Sequence, residues 1–368
     1  MDILAHAQEL IYHLLELMPS LYQRQSLQAL LELFLRAQGT PLPEHSPLKS
    51  PSALSRFLNI YTWSVRGLIR RLRQAVSQQL QQYSPRGRRP HLQVIVDLTT
   101  LEKRGKFKAF EHLVSRLHGK RGVHLVVLYL VVGPWRIPWS FRVYRGKGSP
   151  SPAHLGLHLV RQLPRWLRRV FRLVVLADTA KGRMEGIRKL QLHAITGVRY
   201  DRCMSDGRQL FQLHKPGQQV RLKGLDFPVT VAWCYLKREG QQSRLKRYVL
   251  STKPLKVSTI IWWGRHRWQI EGWFKTAKHR FGLHRFGQQT QLGLYRWLIL
   301  SLTAFLLAHW GYLSTNHKTL PDWAEAATTV LEACLGEVVV ALLLQEVEQK
   351  RMLLQQQGWE VQITRCKI

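Results

Sequence analysis

Three acidic side chains sit where chemistry could be done. Glu271 lies in "RWQIEGWFKTAKHRFGL", the one acid in a stretch carrying Arg267, Lys275, Lys278, His279 and Arg280. Asp97 closes the apolar run "HLQVIVD", and Asp178 closes "FRLVVLAD". Each has an ordinary explanation. An aspartate after a strand commonly caps the next turn or helix, and Glu271 is placed to pair with Arg267 at i−4 or Lys275 at i+4. If the two strands are neighbours, however, both aspartates emerge at one sheet edge, and a packed helix brings Glu271 beside them. Three carboxylates in one pocket repel unless a divalent cation binds between them. Hard oxygen ligands with open water positions suit Mg²⁺. Two such ions serve the displacement of one phosphodiester oxygen by another.

The elements that must position these groups follow from periodicity. Residues 1–88 read as a helical domain, with apolar spacing of three and four in "IYHLLELM" and "SLQALLELFLRA" and a proline-rich break at 41–51. Arg66, Arg70, Arg71 and Arg73 cluster on its last helix, either as a DNA-binding face or as a solvated one. "SPRGRRP" reads as a linker. Residues 89–198 alternate strands with helices: "HLQVIVD", "GVHLVVLYLVVG", "WSFRVYRG" and "FRLVVLAD" as strands, a helix interrupted at Pro164, and a helix over "TAKGRMEGIRKLQLHA". Short alternating stretches at 199–257 make a small β-rich insertion. A long helical run over 258–312 carries Glu271, and a helical tail, 313–368, is expected to bury "VVVALLL".

Composition names a partner class. The 368 residues include 56 Lys and Arg against 22 Asp and Glu, a formal net charge of +34. Counted along the chain, 41 basic and 10 acidic residues fall in 89–312, a net of +31 for that segment. Such a charge repels itself unless a polyanion is the working partner, and nucleic acid fits best. The four cysteines, Cys203, Cys234, Cys334 and Cys366, are scattered, which argues against a zinc site or disulfide framework and for a reduced, cytoplasmic setting. The first residues lack the order of a signal peptide. The apolar run "WLILSLTAFLLA" is expected to be too short to span a membrane and to form a buried helix.

The local words carry a resemblance. "VIVDLTTLEKRGK", "VVLADTAKG" and "RWQIEGWFKTAK" resemble the catalytic segments of DDE transposases of the insertion-sequence-four type. That family has a signature Y-x2-R-x3-E-x6-K. Arg267, Glu271 and Lys278 match its last three positions, while Gly264, flanked by Trp263, stands at the tyrosine position. On one continuous helix, positions 264, 267, 271, 275 and 278 would share a face. The family's D-x-T after the first strand recurs as Asp97-Leu98-Thr99. The likeness covers about residues 92–310 and, more faintly, 50–80.

The resemblance implies an α/β fold: an RNase H-like mixed sheet with flanking helices, a β-rich insertion before the glutamate and an N-terminal helical domain. It implies cutting of double-stranded DNA at terminal inverted repeats and joining of 3′ ends to target DNA. Asp97, Asp178 and Glu271 would hold Mg²⁺, two ions in number, with Mn²⁺ as a substitute. Arg267, Lys278 and Lys275 would lie on DNA phosphates, and so would Lys103 and Lys106 in the loop after the first strand. In relatives an aromatic of the insertion stacks on a displaced base. Trp233 is placed for that, although Val229, Val231, Trp233 and Tyr235 share one strand face and suit a small core better. Arg70, Arg71 and Arg73 would contact DNA from the helical domain. A homodimer on paired DNA ends, no membrane, and a bacterial, nucleoid-associated setting complete the expectation. Two other readings stay open: a nuclease of the same core without strand transfer, and a DNA-binding regulator that has lost catalysis.

Overall fold

The computed structural model describes residues 2–36, 46, 48–83, 89–105, 107–178, 184–237, 244–315, 321–336, 340, 344, 347, 350–351 and 353–359. The chain divides into two compact units, one made of residues 1–75 and 277–368, the other of 76–276.

The sheet unit is built on β1 (His91–Glu102), β2 (Ser115–Leu117), β3 (Lys120–Val132), β4 (Trp135–Tyr144), β5 (Arg172–Ala177), β6 (His193–Val198), β7 (Gln219–Arg221), β8 (Pro228–Lys237) and β9 (Arg244–Ser251). Among the described residues these form one sheet of nine strands in the order β2-β3-β1-β5-β6-β9-β8-β7, with β4 also paired to β3. β3 runs antiparallel to both β1 and β4, whereas β1, β5 and β6 run parallel. This is the RNase H-like mixed sheet that was expected. The run "LVVLYLVV" of β3 is buried throughout, as a central strand covered on both faces must be. α5 (Pro152–Arg161) packs on β1, β3 and β4, and α6 (Arg165–Val170) packs on β5. Pro164 stands at the α6 N-cap and separates the two helices.

Several local expectations are corrected. β1 does not end at Asp97 but continues to Glu102, because β3 goes on pairing with it after β5 has stopped. The helix expected through residue 194 is shorter: α7 (Met184–Lys189) ends early, and His193–Val198 is drawn into the sheet as β6 between β5 and β9. The segment 199–257 adds β7, β8 and β9 to the same sheet. They cover a core of Leu210, Phe227, Val229, Val231, Trp233 and Tyr248.

The long helical run is also broken. α8 (Val257–His266) and α9 (Gln269–His279) are separated at Arg267 and Trp268. There Trp268 N–H bonds Arg265 O and Ile270 N–H bonds Arg267 O, a tightening from four-residue to three-residue spacing. α9 ends before Gly282, whose φ of +60° suits a residue without Cβ.

The other unit is helical: α1 (Ile3–Glu16), α2 (Leu21–Arg36), α3 (Pro51–Asn59) and the first part of α4 (Val65–Gln82) join α10 (Gln291–Ser314) and α11 (Trp323–Cys334). α10 packs against α1, α2, α3 and α11. Its Arg296 is buried and donates to the carbonyls of Phe57, Leu58 and Trp63 at 3.0, 2.9 and 3.2 Å. α10 is long and apolar enough to cross a membrane, contrary to the short run expected, but 89% of its apolar window is buried. Of the tail run expected in the core, Val340 and Leu344 are described, and both are exposed. Most of the 41–51 break and of the 84–90 linker lies outside the described residues.

Candidate active site

Register brings the aspartates together. The parallel pairing of β1 with β5 runs to Val96↔Ala177. Asp97 and Asp178 are the next residues on two strands that lie about 4.8 Å apart. β1 stays extended through Asp97, whose Oδ1 accepts the Leu98 N–H at 2.8 Å. Asp178 is exposed, just past the end of β5.

Glu271 arrives from the first turn of α9. Arg267, at the C-cap of α8, lies between the acids: its Nη1 donates to Asp97 Oδ2 at 2.5 Å and its Nη2 to Glu271 Oε1 at 2.9 Å. The guanidinium and Asp97 are largely buried, with side-chain exposures of 12% and 18%. Burial pushes the Asp97 carboxyl up to about 6, although Arg267 pulls it down; the negative charges of Asp178 and Glu271 add to the rise. Asp97 therefore feels the charge of both other acids.

Two cavities meet at this edge. One, about 580 Å³, is lined by Asp178, Glu271 and Arg267 and extends over β6, β8 and β9, past Arg199, Arg247 and Arg265. The exposed aromatics Tyr200 and Trp268 stand in its wall. The other, about 460 Å³ and mainly apolar, is lined by Asp97, Asp178, His118 and the face of α5 from Pro152 to Val160. Gly264 belongs to the first cavity. A Cβ there would come within 3.1 and 3.2 Å of the Val249 methyls, so α8 is seated closely on β9. A tyrosine at this position would have to displace Val249.

The remaining expected residues are placed as follows. Lys275 is exposed on α9, and Lys278 falls beyond the division, in the helical unit at the end of that helix. Lys103 is half-buried just after β1, and burial pulls its amine down to about 8. Lys106 lies outside the described residues. Arg70 and Arg73 are exposed on α4, and Arg71 is half-buried with Nη1 donating to Gln74 at 3.5 Å. Trp233 is only 8% exposed; its ring packs on Tyr248 and carries the Lys246 ammonium 4.0 Å above it. Tyr235, on the same alternation, is 56% exposed. The helical tightening at Arg267 and Trp268 means that positions 264 to 278 do not share one continuous helix face. The sequence reading missed Arg199, Arg247 and Arg265. They come from β6's end, β9 and α8, so no local pattern joins them.

The donor chemistry of the site suits a divalent cation: three carboxylates, one of them buried and raised. As they stand, no group of three or more His, Cys, Asp or Glu side chains among the described residues encloses an ion position. Arg267 supplies the positive charge between Asp97 and Glu271 instead.

A mixed sheet of this strand order with flanking helices defines a protein of the RNase H-like class. Within that class the chain belongs to the transposase DDE domain family, whose model matches residues 88–307. Among solved structures it is similar to the piggyBac transposase synaptic complex with hairpin DNA, at 13% identity and a TM-score of 0.48, covering 93% of this chain and 79% of that one. No curated protein matches the sequence.

Proposed function

We propose that this protein is a transposase of the insertion-sequence-four type that cuts DNA at the ends of its element and joins the 3′ ends to target DNA by metal-dependent phosphoryl transfer. The observation that carries this reading is the convergence of Asp97, Asp178 and Glu271 at one sheet edge, in a strongly cationic unit whose family is that of DDE transposases. Asp97, Asp178 and Glu271 hold the metal in this reading. Mg²⁺, as two ions, with Mn²⁺ as substitute, supplies Lewis-acid stabilisation of the attacking and leaving oxygens when bound.

The chain's own residues do the rest. Arg267 bridges Asp97 and Glu271, and its planar guanidinium has the donor fork that would take a phosphate bidentately beside them. Arg247 and Arg265 keep the polyanion near an acidic site that alone would repel it. Tyr200 and Trp268 offer flat faces to bases beside the cut. Lys275 and Lys278 extend phosphate contacts along α9, and Arg70, Arg71 and Arg73 hold duplex DNA from the helical unit. Terminal inverted repeats and target DNA are the partners, bound by two copies of the chain.

The substitutions Asp97→Asn, Asp178→Asn and Glu271→Gln test the reading. Each is expected to lower Mg²⁺-dependent strand cleavage by at least about a thousandfold, a loss of roughly 4 kcal/mol of transition-state stabilisation. DNA affinity should be kept or raised, since each change removes a negative charge. A variant that cuts near the wild-type rate removes that residue from the site. Cleavage without joining to target DNA would move the protein to the nuclease reading.

A further inference from the structure

The sheet has a second edge, and it is more basic than the first. Between α5 and β5 the chain reads "RQLPRWLRRVFR": Arg161, Arg165, Arg168, Arg169 and Arg172, with no acid. Arg161, Arg165, Arg169 and Arg172 are exposed. Arg168 is committed to structure, donating to Leu190 O at 3.1 Å, while its own carbonyl receives Arg89 at 3.5 Å. The Arg172 N–H bonds Pro90 O at 2.9 Å, and His91 pairs with Arg172 in register, which sets Arg89 beside the cluster. β6 begins at the same edge, and Lys253 lies close enough to His193 there to oppose its protonation.

This edge is not the one that carries the carboxylates. β5 runs from Arg172 to Ala177 and delivers Asp178 at its far end, about 20 Å away at 3.3 Å per residue. α5 packs on β1, β3 and β4 of the same sheet. Its buried face, from Pro152 to Val160, lines the cavity at Asp97, and its last residue is the exposed Arg161.

Elsewhere in this unit surface acids are neutralised locally: Glu102 by Lys120, Glu111 by Arg121, Glu185 by Lys189, Asp201 by Arg199 and Asp206 by Arg208. Among the described residues, Arg161, Arg165, Arg169 and Arg172 have no such acidic partner. An uncompensated arginine cluster costs stability through self-repulsion unless a polyanion covers it. Arg165 and Arg169 are one turn apart on α6, so they project to one side. Duplex DNA, with one charge per about 1.7 Å of axis, can meet the whole cluster with successive phosphates.

We infer that the arginines of α6 and the start of β5 form a second duplex-binding surface, indifferent to sequence, on the edge of the sheet opposite the three carboxylates. It holds a DNA segment other than the one being cut. The inference rests on the reading of the protein as DNA-acting, but its test separates the two.

The full chain and the variant R165Q/R169Q/R172Q are compared for binding to a long random-sequence duplex, by fluorescence anisotropy over a series of salt concentrations. Glutamine keeps much of each stem's packing. The slope of log affinity against log salt is expected to become shallower by about 2–3, at about 0.9 per lost phosphate contact. The Lys-for-Arg triple variant should keep most of the slope. Should the triple glutamine variant melt early, the single variants R165Q and R169Q are each expected to lose about 0.9 of slope.

Metal-dependent cutting of a short end duplex, measured at saturating protein, should stay within about twofold, well under 1 kcal/mol of barrier. An unchanged slope overturns the proposal. So does loss of cutting in the saturated complex, which would place these arginines on the path to the carboxylates. Binding of anionic lipid vesicles through these arginines, with duplex affinity unaffected, also overturns it. If the wild type binds duplex but cuts nothing, the transposase reading fails, and the slope still reports on this surface.

Discussion

Arg267 makes the site what it is. Its guanidinium bridges Asp97 and Glu271, so on the proposed reading it would compete with a divalent cation for the same oxygens. Arg267→Gln removes the competitor while keeping a polar side chain. Binding of Mn²⁺ in the absence of DNA, followed by electron paramagnetic resonance, is therefore expected to tighten by about tenfold, close to 1.4 kcal/mol. DNA cutting should fall nonetheless, because the proposed bidentate phosphate contact would be lost. Unchanged or weaker Mn²⁺ binding would show that Arg267 positions the carboxylates rather than shielding them. The acids themselves are legible in the sequence: two follow apolar, strand-forming runs, and the third stands alone among bases. The bridge is not, since Asp97 and Arg267 are 170 residues apart. Nor is the reason for Gly264, which depends on how closely α8 approaches Val249 on β9.

Among elements, β6 departs furthest from its sequence pattern, and it carries a titratable hinge-pin. His193 Nε2 lies 3.0 Å from the buried Ser251 Oγ on β9, whose own proton goes to Lys253 O at 2.7 Å. Burial, helped by Lys253 and His91, pulls His193 down to about 4. An unfolded histidine titrates near 6.5, so between these values the unfolded chain binds more protons. The stability tied to His193 is therefore complete above about pH 6.5 and is lost as pH falls towards about 4. The amount is roughly 1–3 kcal/mol. His193→Gln should flatten the acid side of the stability profile of the full chain, measured by denaturant unfolding from pH 7 to pH 4. An acid limb as steep as the wild type's would assign the loss to other groups. Residues 193–198 do not announce themselves as a strand because "LQLHA" continues a helical period. Their strand identity comes from the vacancy between β5 and β9, a tertiary effect that outweighs local propensity. β1 overruns its expected end for a like reason, since β3 keeps pairing past Asp97. The strands of 219–251 are visible as strands in the sequence, but their continuation of the main sheet is not.

For the whole molecule, charge is the most legible property. A formal net charge of +34 sets DNA-free chains against one another, and DNA screens them. On the proposed reading, cutting both ends of an element would call for two sites, and each chain has one set of Asp97, Asp178 and Glu271. Light scattering should find single chains at low concentration without DNA, and two chains with two DNA ends in its presence. A one-chain, one-end complex that completes joining would sink this assembly. The least legible property is the make-up of the helical unit, which takes residues 1–75 and 277–368. α1, α2 and α3 pack on α10, and no periodicity reveals a partner that far along the chain. That discontinuity has a consequence on the ribosome. At about 5–20 residues per second, the first helices leave the tunnel some ten seconds or more before α10 is made. Leu30, Phe34, Leu54 and Phe57, all buried in the finished unit, spend that interval without their cover. The whole sheet unit is synthesised meanwhile, and until α10 follows, α1, α2 and α3 have only one another to pack on.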